Sequence, residues 1–215
     1  MIQLNHLLLV YYLLINVILN NGRVITMDCD KVEYEYFDNG NIKNEYWYNE
    51  YGRLNRTDGP AVIYYNRNGN VSLEYWYKDE ICHREDGPAI ILYYLNGNKR
   101  KECWLIDDEY HRIDGPAKVF YNEDGSKKCE FWFKNDMLHR ENGPSSIFYN
   151  EDGYFEKLFW HQNDEIHRID GPATIEYDKS HNIICESYFL NGKKIDNELQ
   201  IEVLKELNKQ SCSNF

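Results

Sequence analysis

The sequence has little proline or methionine, no basic run and no closely spaced cysteine pair. The formal net charge is −12, so the attraction that draws proteins to phosphate backbones or anionic lipid is missing, and we expect no nucleic-acid partner. The six cysteines contain no CxxC motif and occupy irregular positions, which argues against a zinc site and a disulfide framework. Reduced, packed thiols are the preferred interpretation, and they favour an intracellular setting.

Long apolar runs are also scarce, with one exception near the N-terminus. The stretch from Leu7 to Leu19 has one polar interruption, at Asn16, and is shorter than the roughly 20 residues that span a bilayer. Residues 1–26 therefore form an apolar segment with three open interpretations: a signal peptide or uncleaved anchor, a buried cap, or an upstream extension with initiation at Met27. Any membrane contact is expected only through residues 7–19, so secretion and anchoring stay open.

Aromatic residues are abundant, at 15% of the chain with 19 tyrosines. Aromatic and β-branched side chains suit half-buried strand faces, so the composition favours β-structure. The spacing of the prolines shows how this β-structure is organised along the chain. Each follows a glycine and lies 28 residues after the one before it: Pro60, Pro88, Pro116, Pro144 and Pro172. Such a period is typical of repeated supersecondary units.

Each sequence repeat contains signals for two strands. Positions one, three and five after the proline recur as a small residue, an aliphatic residue and tyrosine, as in Ala117, Val119 and Tyr121. This period-2 pattern predicts a strand with one buried face. An Asn-Gly or Asp-Gly turn follows, and then a second strand with a Glu-x-Trp pair, such as Glu130 and Trp132.

We therefore predict an all-β, elongated antiparallel meander of tandem hairpins over residues 32–194. The expected units are 32–59, 60–87, 88–115, 116–143, 144–171 and 172–194. A β-solenoid with one coil per repeat is the competing architecture, disfavoured because the turn signals fall where a two-stranded hairpin needs them. Residues 195–210 have apolar positions at helical spacing and are predicted to form a capping helix.

The recurring motif His-Arg-x-Asp-Gly-Pro contains residue types that serve in acid/base catalysis and in metal sites. Equivalent residues of successive hairpins should lie two strand spacings apart, roughly 9.6 Å, so the histidines cannot converge on one ion. We predict no metal, no cofactor and no catalytic residue. Instead the arginine should stack on the tryptophan, pair with a carboxylate and form a structural joint between hairpins. The predicted joint residues are Arg56, Arg84, Arg112, Arg140, Arg168, His83, His111, His139, His167, Asp58, Asp86, Asp114 and Asp170.

The tryptophans have two interpretations, core packing or a row of exposed aromatic platforms. The second makes them a candidate partner-binding stripe. Its members are Trp47, Trp76, Trp104, Trp132 and Trp160.

With these features the repeats resemble divergent MORN-type repeats, in particular the HRxDGPA-bearing arrays of large DNA viruses and some bacteria. The resemblance covers about residues 32–194, with a longer repeat than the standard MORN unit and an added proline and arginine. It implies a scaffold or binding module without catalysis.

Our first hypothesis is a non-enzymatic protein-interaction or structural scaffold with an unidentified protein partner. The second is an exported carbohydrate-binding or surface-displayed module, supported by the N-terminal segment, the aromatic stripe and the glycosylation sequons at Asn55 and Asn70. A third is a toxin-neutralising partner.

Overall fold

The computed structural model describes residues 17–20, 23–26, 31–196, 198, 201 and 202. The protein is all-β, and its main sheet is a long antiparallel meander. The chain divides into two compact units, residues 1–99 and 100–215, called the N-terminal and C-terminal units below.

In the N-terminal unit the main-sheet strands lie in the order β1, β2, β3, β4, β5, β6, β9, each antiparallel to its neighbour, and β7 and β8 form a separate short hairpin. The bounds are β1 (Val17–Asn20), β2 (Arg23–Thr26), β3 (Lys31–Tyr36), β4 (Ile42–Tyr48), β5 (Val62–Tyr65), β6 (Val71–Tyr75), β7 (Tyr77–Lys78), β8 (Ile81–Cys82) and β9 (Ile90–Tyr93).

In the C-terminal unit the main-sheet order is β10, β13, β14, β17, β18, β21, β22, β23, again antiparallel, with three separate short hairpins. The bounds are β10 (Lys99–Cys103), β11 (Leu105–Ile106), β12 (Glu109–Tyr110), β13 (Lys118–Tyr121), β14 (Lys127–Phe131), β15 (Phe133–Lys134), β16 (Met137–Leu138), β17 (Ser146–Tyr149), β18 (Phe155–Phe159), β19 (His161–Gln162), β20 (Glu165–Ile166), β21 (Thr174–Tyr177), β22 (Ile183–Leu190) and β23 (Lys193–Ile195). The predicted antiparallel meander is confirmed, and this pairing contradicts the solenoid alternative.

The core follows the predicted alternation. The first and third positions after each proline are buried, with Ala117 fully enclosed and Val119 3% exposed. In the C-terminal unit Ile147, Leu158 and Ile175 form a buried cluster from three neighbouring strands, and Trp132 and Trp160 pack against it. The buried face therefore arises from the residues that recur in the sequence, because alternate residues of a strand share one face.

The main hairpins turn at the predicted Asn-Gly and Asp-Gly sites, but only the glycine has a positive φ, as at Gly69 (φ 84°). The Gly69 N–H donates to the Asn66 carbonyl, and the register then shifts between Tyr64 and Tyr65. This is a tight turn followed by a glycine bulge, a common longer hairpin loop. At the divergent site "DKSH", His181 takes the positive φ, 65°.

β4 and β22 are continuous, but in the four repeats between them the second predicted strand is not, which corrects the sequence interpretation. It leaves the main sheet at the tryptophan and continues as a short separate hairpin, β7–β8, β11–β12, β15–β16 or β19–β20. At Trp132 the backbone N–H donates to the Ser145 carbonyl, whereas the Trp132 carbonyl accepts from His139. The two backbone groups bond to different segments, so the tryptophan marks the point where the chain leaves the sheet.

Two-residue turns close these short hairpins, and both of their residues have positive φ. Asn135 and Asp136, at 51° and 62°, are an example. Such angles are those of type I′ turns, whose twist matches that of the flanking strands. The predicted second turn is therefore present, in a hairpin of its own.

The predictions for the two ends of the chain stay predictions. Most of residues 1–26 and of the predicted helix 195–210 lies outside the described residues. Within them, β1 and β2 form an antiparallel hairpin, and Glu198, Ile201 and Glu202 have helical backbone. Among the described residues, no helix has the length and apolar character needed to cross a bilayer.

Candidate functional site

An arginine stacked on a tryptophan occurs at five places along the chain. The guanidinium carbon lies 3.6 to 4.1 Å from the centre of the indole ring. The pairs are Arg56 on Trp47, Arg84 on Trp76, Arg112 on Trp104, Arg140 on Trp132 and Arg168 on Trp160. The predicted contact is confirmed, and a delocalised cation on an indole face is a favourable cation–π arrangement.

The glycine of each motif lies against the other side of the guanidinium. A Cβ built on Gly87 would lie 2.5 Å from the Arg84 guanidinium carbon, and one on Gly115 would lie 2.7 Å from that of Arg112. Neither glycine has a positive φ. Glycine is therefore required at these two positions for close approach and not for a positive φ.

The aspartate and proline complete the environment of the arginine. Arg84 donates through Nε to Asp86 Oδ1 at 2.8 Å and through Nη1 to the Pro88 carbonyl at 3.4 Å. The same Nε contact joins Arg56 to Asp58, Arg112 to Asp114 and Arg168 to Asp170, at 2.5 to 2.9 Å. The hydrogen bond from arginine lowers the pKa of Asp58, Asp86 and Asp114.

Three of the histidines contact the turn of a hairpin 24 residues further along the chain. His111 Nδ1 lies 2.8 Å from Asn135 Oδ1, and His139 Nδ1 lies 3.1 Å from Asn163 Oδ1. His167 Nδ1 accepts a hydrogen bond from the Asn191 N–H. Asn55 stands in the histidine position, and its Oδ1 accepts from the Asp79 N–H. In both units, therefore, the histidine position contacts the turn of a later hairpin.

The glutamate two residues before the tryptophan accepts a hydrogen bond from a tyrosine of the next strand. The Tyr121 hydroxyl donates to Glu102 at 2.6 Å, and the Tyr149 hydroxyl donates to Glu130 at the same distance. Burial, followed by this carboxylate, raises the pKa of both tyrosines. This pair was not among the predicted contacts. The available signal was that the glutamate and the tyrosine five residues after proline recur together in the repeats.

A serine–histidine contact is present at Ser145, where Oγ lies 2.8 Å from His161 Nδ1. Such a pair is a common element of nucleophilic catalysis. Here Ser145 is fully buried, and its Oγ also contacts the Phe159 carbonyl and the His161 N–H. Burial lowers the pKa of His161. The hydroxyl is therefore occupied by backbone contacts in the interior, out of reach of a substrate.

The tryptophans of the candidate stripe are half-buried. One side of each indole is covered by arginine, and Trp132 and Trp160 also contact the apolar cluster. These contacts favour core packing over open platforms. Within the described residues, no group of three or more His, Cys, Asp or Glu side chains is placed to hold a metal ion.

The joints also border a groove of about 370 Å³ in the C-terminal unit. Its lining includes Ile113, Phe133, Lys134 and Arg140. Ile113 is 94% exposed, an unusual setting for a large aliphatic side chain. A surface of this size accommodates one or two side chains of a ligand.

The fold and these contacts define a class: an all-β protein of successive antiparallel hairpins, joined by arginines held between tryptophan and glycine. In comparisons with known proteins, no family model matches the chain and no curated protein matches its sequence.

Proposed function

We propose that the chain is a MORN-like array of tandem 28-residue hairpin repeats that acts as a non-enzymatic protein-interaction or structural scaffold module. The observation that carries this proposal is the use of the motif's reactive side chains. Arginine contacts the tryptophan and aspartate of its own repeat, and histidine contacts the turn of a later hairpin. These side chains therefore stabilise the fold and leave little chemistry for a substrate.

The surface beside the joints supports binding. Ile113 and Ile169 occupy the variable position of the motif and are 94% and 63% exposed. Both side chains are exposed beside a joint, so they are available for recognition. Exposed apolar side chains beside polar groups are typical of protein-interaction sites.

The carbohydrate-binding alternative receives less support, because a sugar-stacking platform needs an open aromatic face. Each tryptophan of the stripe has an arginine on one face. A sugar would have to displace that cation or bind at the remaining edge.

Affinity capture with the immobilised full chain tests the proposal. Wild type is compared with a double variant, Ile113→Asp and Ile169→Asp, whose changes lie on exposed side chains and should preserve the fold. We expect a defined protein to be retained by wild type and lost from the variant, and the purified partner to bind directly. An identical set of proteins on both columns, or a turnover activity of the purified chain, would contradict the proposal.

A further inference from the structure

One of the five joint arginines, Arg140, has no aspartate in its motif to accept the Nε hydrogen bond. In the motif beginning at His139, Asn142 stands where the other four have aspartate. In those four, the aspartate accepts the Nε hydrogen bond at 2.5 to 2.9 Å. Arg140 keeps the stacking on Trp132 and the hydrogen bond to the Pro144 carbonyl, and no carboxylate among the described residues forms an ion pair with it. The carboxylate-binding side of its guanidinium is therefore open.

The acidic group that faces Arg140 from the neighbouring strand has partners of its own. Glu130 is 3% exposed, pairs with Lys127 Nζ at 2.5 Å and accepts the Tyr149 hydroxyl at 2.6 Å. Burial lowers the pKa of Arg140, although Glu130 and Tyr149 act in the opposite direction. Glu130 thus reduces the charge of this site without replacing the missing aspartate.

Arg140 lines the 370 Å³ groove together with Asn142, Lys134, Glu141, Phe133 and Ile113. The charged groups at the groove are Arg140, Lys134, Glu141 and Arg112, and Arg112 is already paired with Asp114. Lys134 has no ion pair among the described residues and is exposed. Two cations without an ion pair, against one exposed carboxylate, favour an anionic ligand in a protein that is otherwise acidic.

We propose that this groove binds a carboxylate side chain of a partner peptide, which takes the place of the missing aspartate on Arg140. The sister joints define the required geometry, because in each of them the same guanidinium edge holds a carboxylate. The apolar rim of Ile113 and Phe133 accommodates an aliphatic residue next to the acidic one in the peptide. The inference rests on the proposed binding function and specifies the chemistry that the partner presents.

The test is a titration of the full-length ¹⁵N-labelled protein, followed through the Nε–Hε signal of Arg140, which an Arg140→Lys variant assigns. The probes are two capped tripeptides, acetyl-Ile-Asp-Ile-amide and acetyl-Ile-Asn-Ile-amide, at equal ionic strength. We expect a saturable shift with the aspartyl peptide and at least about tenfold weaker binding of the asparaginyl peptide, since a charge-assisted hydrogen bond is lost.

The deciding variant is Asn142→Asp, which supplies the carboxylate from the chain itself. It should fold, since four sister joints carry aspartate at this position, and it should weaken binding of the aspartyl peptide at least about tenfold. Glu141→Gln is the matched control, because it changes a neighbouring charge without filling the site, and binding should be retained or strengthened.

Equal shifts with the two peptides, or equal affinity in wild type and Asn142→Asp, would overturn the proposal. A saturable shift with inorganic phosphate, without one from the aspartyl peptide, would also overturn it. The titration uses synthetic peptides and the capture experiment uses a natural partner, so each experiment can fail without the other. A negative titration would overturn the carboxylate site only, and a negative capture would overturn the proposed binding function.

Discussion

At the scale of single residues, the contacts of the joint explain the role of each residue in its motif. The indole supports one face of the guanidinium, glycine allows close approach at the other, and aspartate and the proline carbonyl accept its hydrogen bonds. Arginine is suited to this position because a planar, permanently charged group can stack and donate in its plane at the same time. A lysine could do neither well.

Replacing Gly87 with alanine should displace Arg84, because the new Cβ would lie 2.5 Å from the guanidinium carbon. The arginine end is flexible, so the cost is bounded by what the arginine contributes. We expect Gly87→Ala and Arg84→Ala each to lower the free energy of unfolding by about 1 to 3 kcal/mol, measured by urea denaturation. The double variant should lose little more than the larger single effect. Fully additive losses would show that the glycine acts independently of the arginine.

The tyrosine–glutamate pairs predict a pH dependence. Burial, then the carboxylate, raises the folded-state pKa of Tyr65, Tyr121 and Tyr149 above the ordinary value of 10.0. Each tyrosine therefore contributes stability that is fully present below pH 10 and is lost as pH rises through the folded-state pKa.

The variant Tyr121→Phe should lose about 1 to 2 kcal/mol at pH 7, since Glu102 loses a hydrogen-bond donor. Its stability should also fall less steeply than that of wild type between pH 10 and 12, because one titrating group is gone. Urea denaturation over this pH range measures both effects. Tyr51→Phe, at a tyrosine 77% exposed, is the control and should leave the curve unchanged. A parallel decline in Tyr121→Phe and wild type would contradict the linkage.

At the scale of elements, the sequence predicts the main hairpins well and the short hairpins poorly. Strand one and its turn are readable, because alternation and the Asn-Gly signal are local properties. The bend at tryptophan is not, because Glu130 and Trp132 keep the two-residue spacing of a continuous strand. What separates them is the backbone bonding of Trp132 to two different segments, a tertiary feature. The arginine contact was predictable from chemistry, but the glycine's role needed the distance to the guanidinium.

The short hairpins in the C-terminal unit are linked by reciprocal hydrogen bonds. The Asp136 N–H donates to the Tyr110 carbonyl at 3.1 Å, and Asp136 Oδ1 accepts from the Tyr110 N–H at 2.7 Å. Asp164 and Leu138 form the same pair. The turn aspartate therefore bonds to both backbone groups of one residue, much as a strand partner would.

This link predicts a difference between two substitutions at Asp136, which has φ 62°. Asp136→Ala removes the carboxylate and puts alanine in a left-handed conformation, so we expect a loss of about 2 to 4 kcal/mol. Asp136→Gly removes the carboxylate alone and should cost about 1 to 2 kcal/mol less. Thermal and urea denaturation compare the two. Equal losses would show that backbone conformation is not limiting at this turn.

At the scale of the whole molecule, the contacts described above join neighbouring hairpins within each of the two units. The tyrosine–glutamate bonds have sequence separations of 19 or 20 residues, and the histidine links have a separation of 24. A chain held together in this way should tolerate removal of a whole repeat, because its neighbours carry the same complementary groups.

Deleting residues 116–143 provides the test. It joins Gly115 to Pro144 and so restores the Gly-Pro step, and it brings Glu102 into position to accept the hydroxyl of Tyr149 in place of Tyr121. We expect a folded β-protein with a cooperative urea transition and a smaller denaturant dependence, since less surface is buried. Deleting residues 116–129 is the matched control. It removes β13 and most of β14 and leaves the short hairpin β15–β16. Trp132 then loses its place at the edge of the sheet, and the product should be much less stable. If the 28-residue deletion unfolds as readily as the 14-residue one, the hairpins depend on a single closed core, and the nearest-neighbour interpretation is wrong.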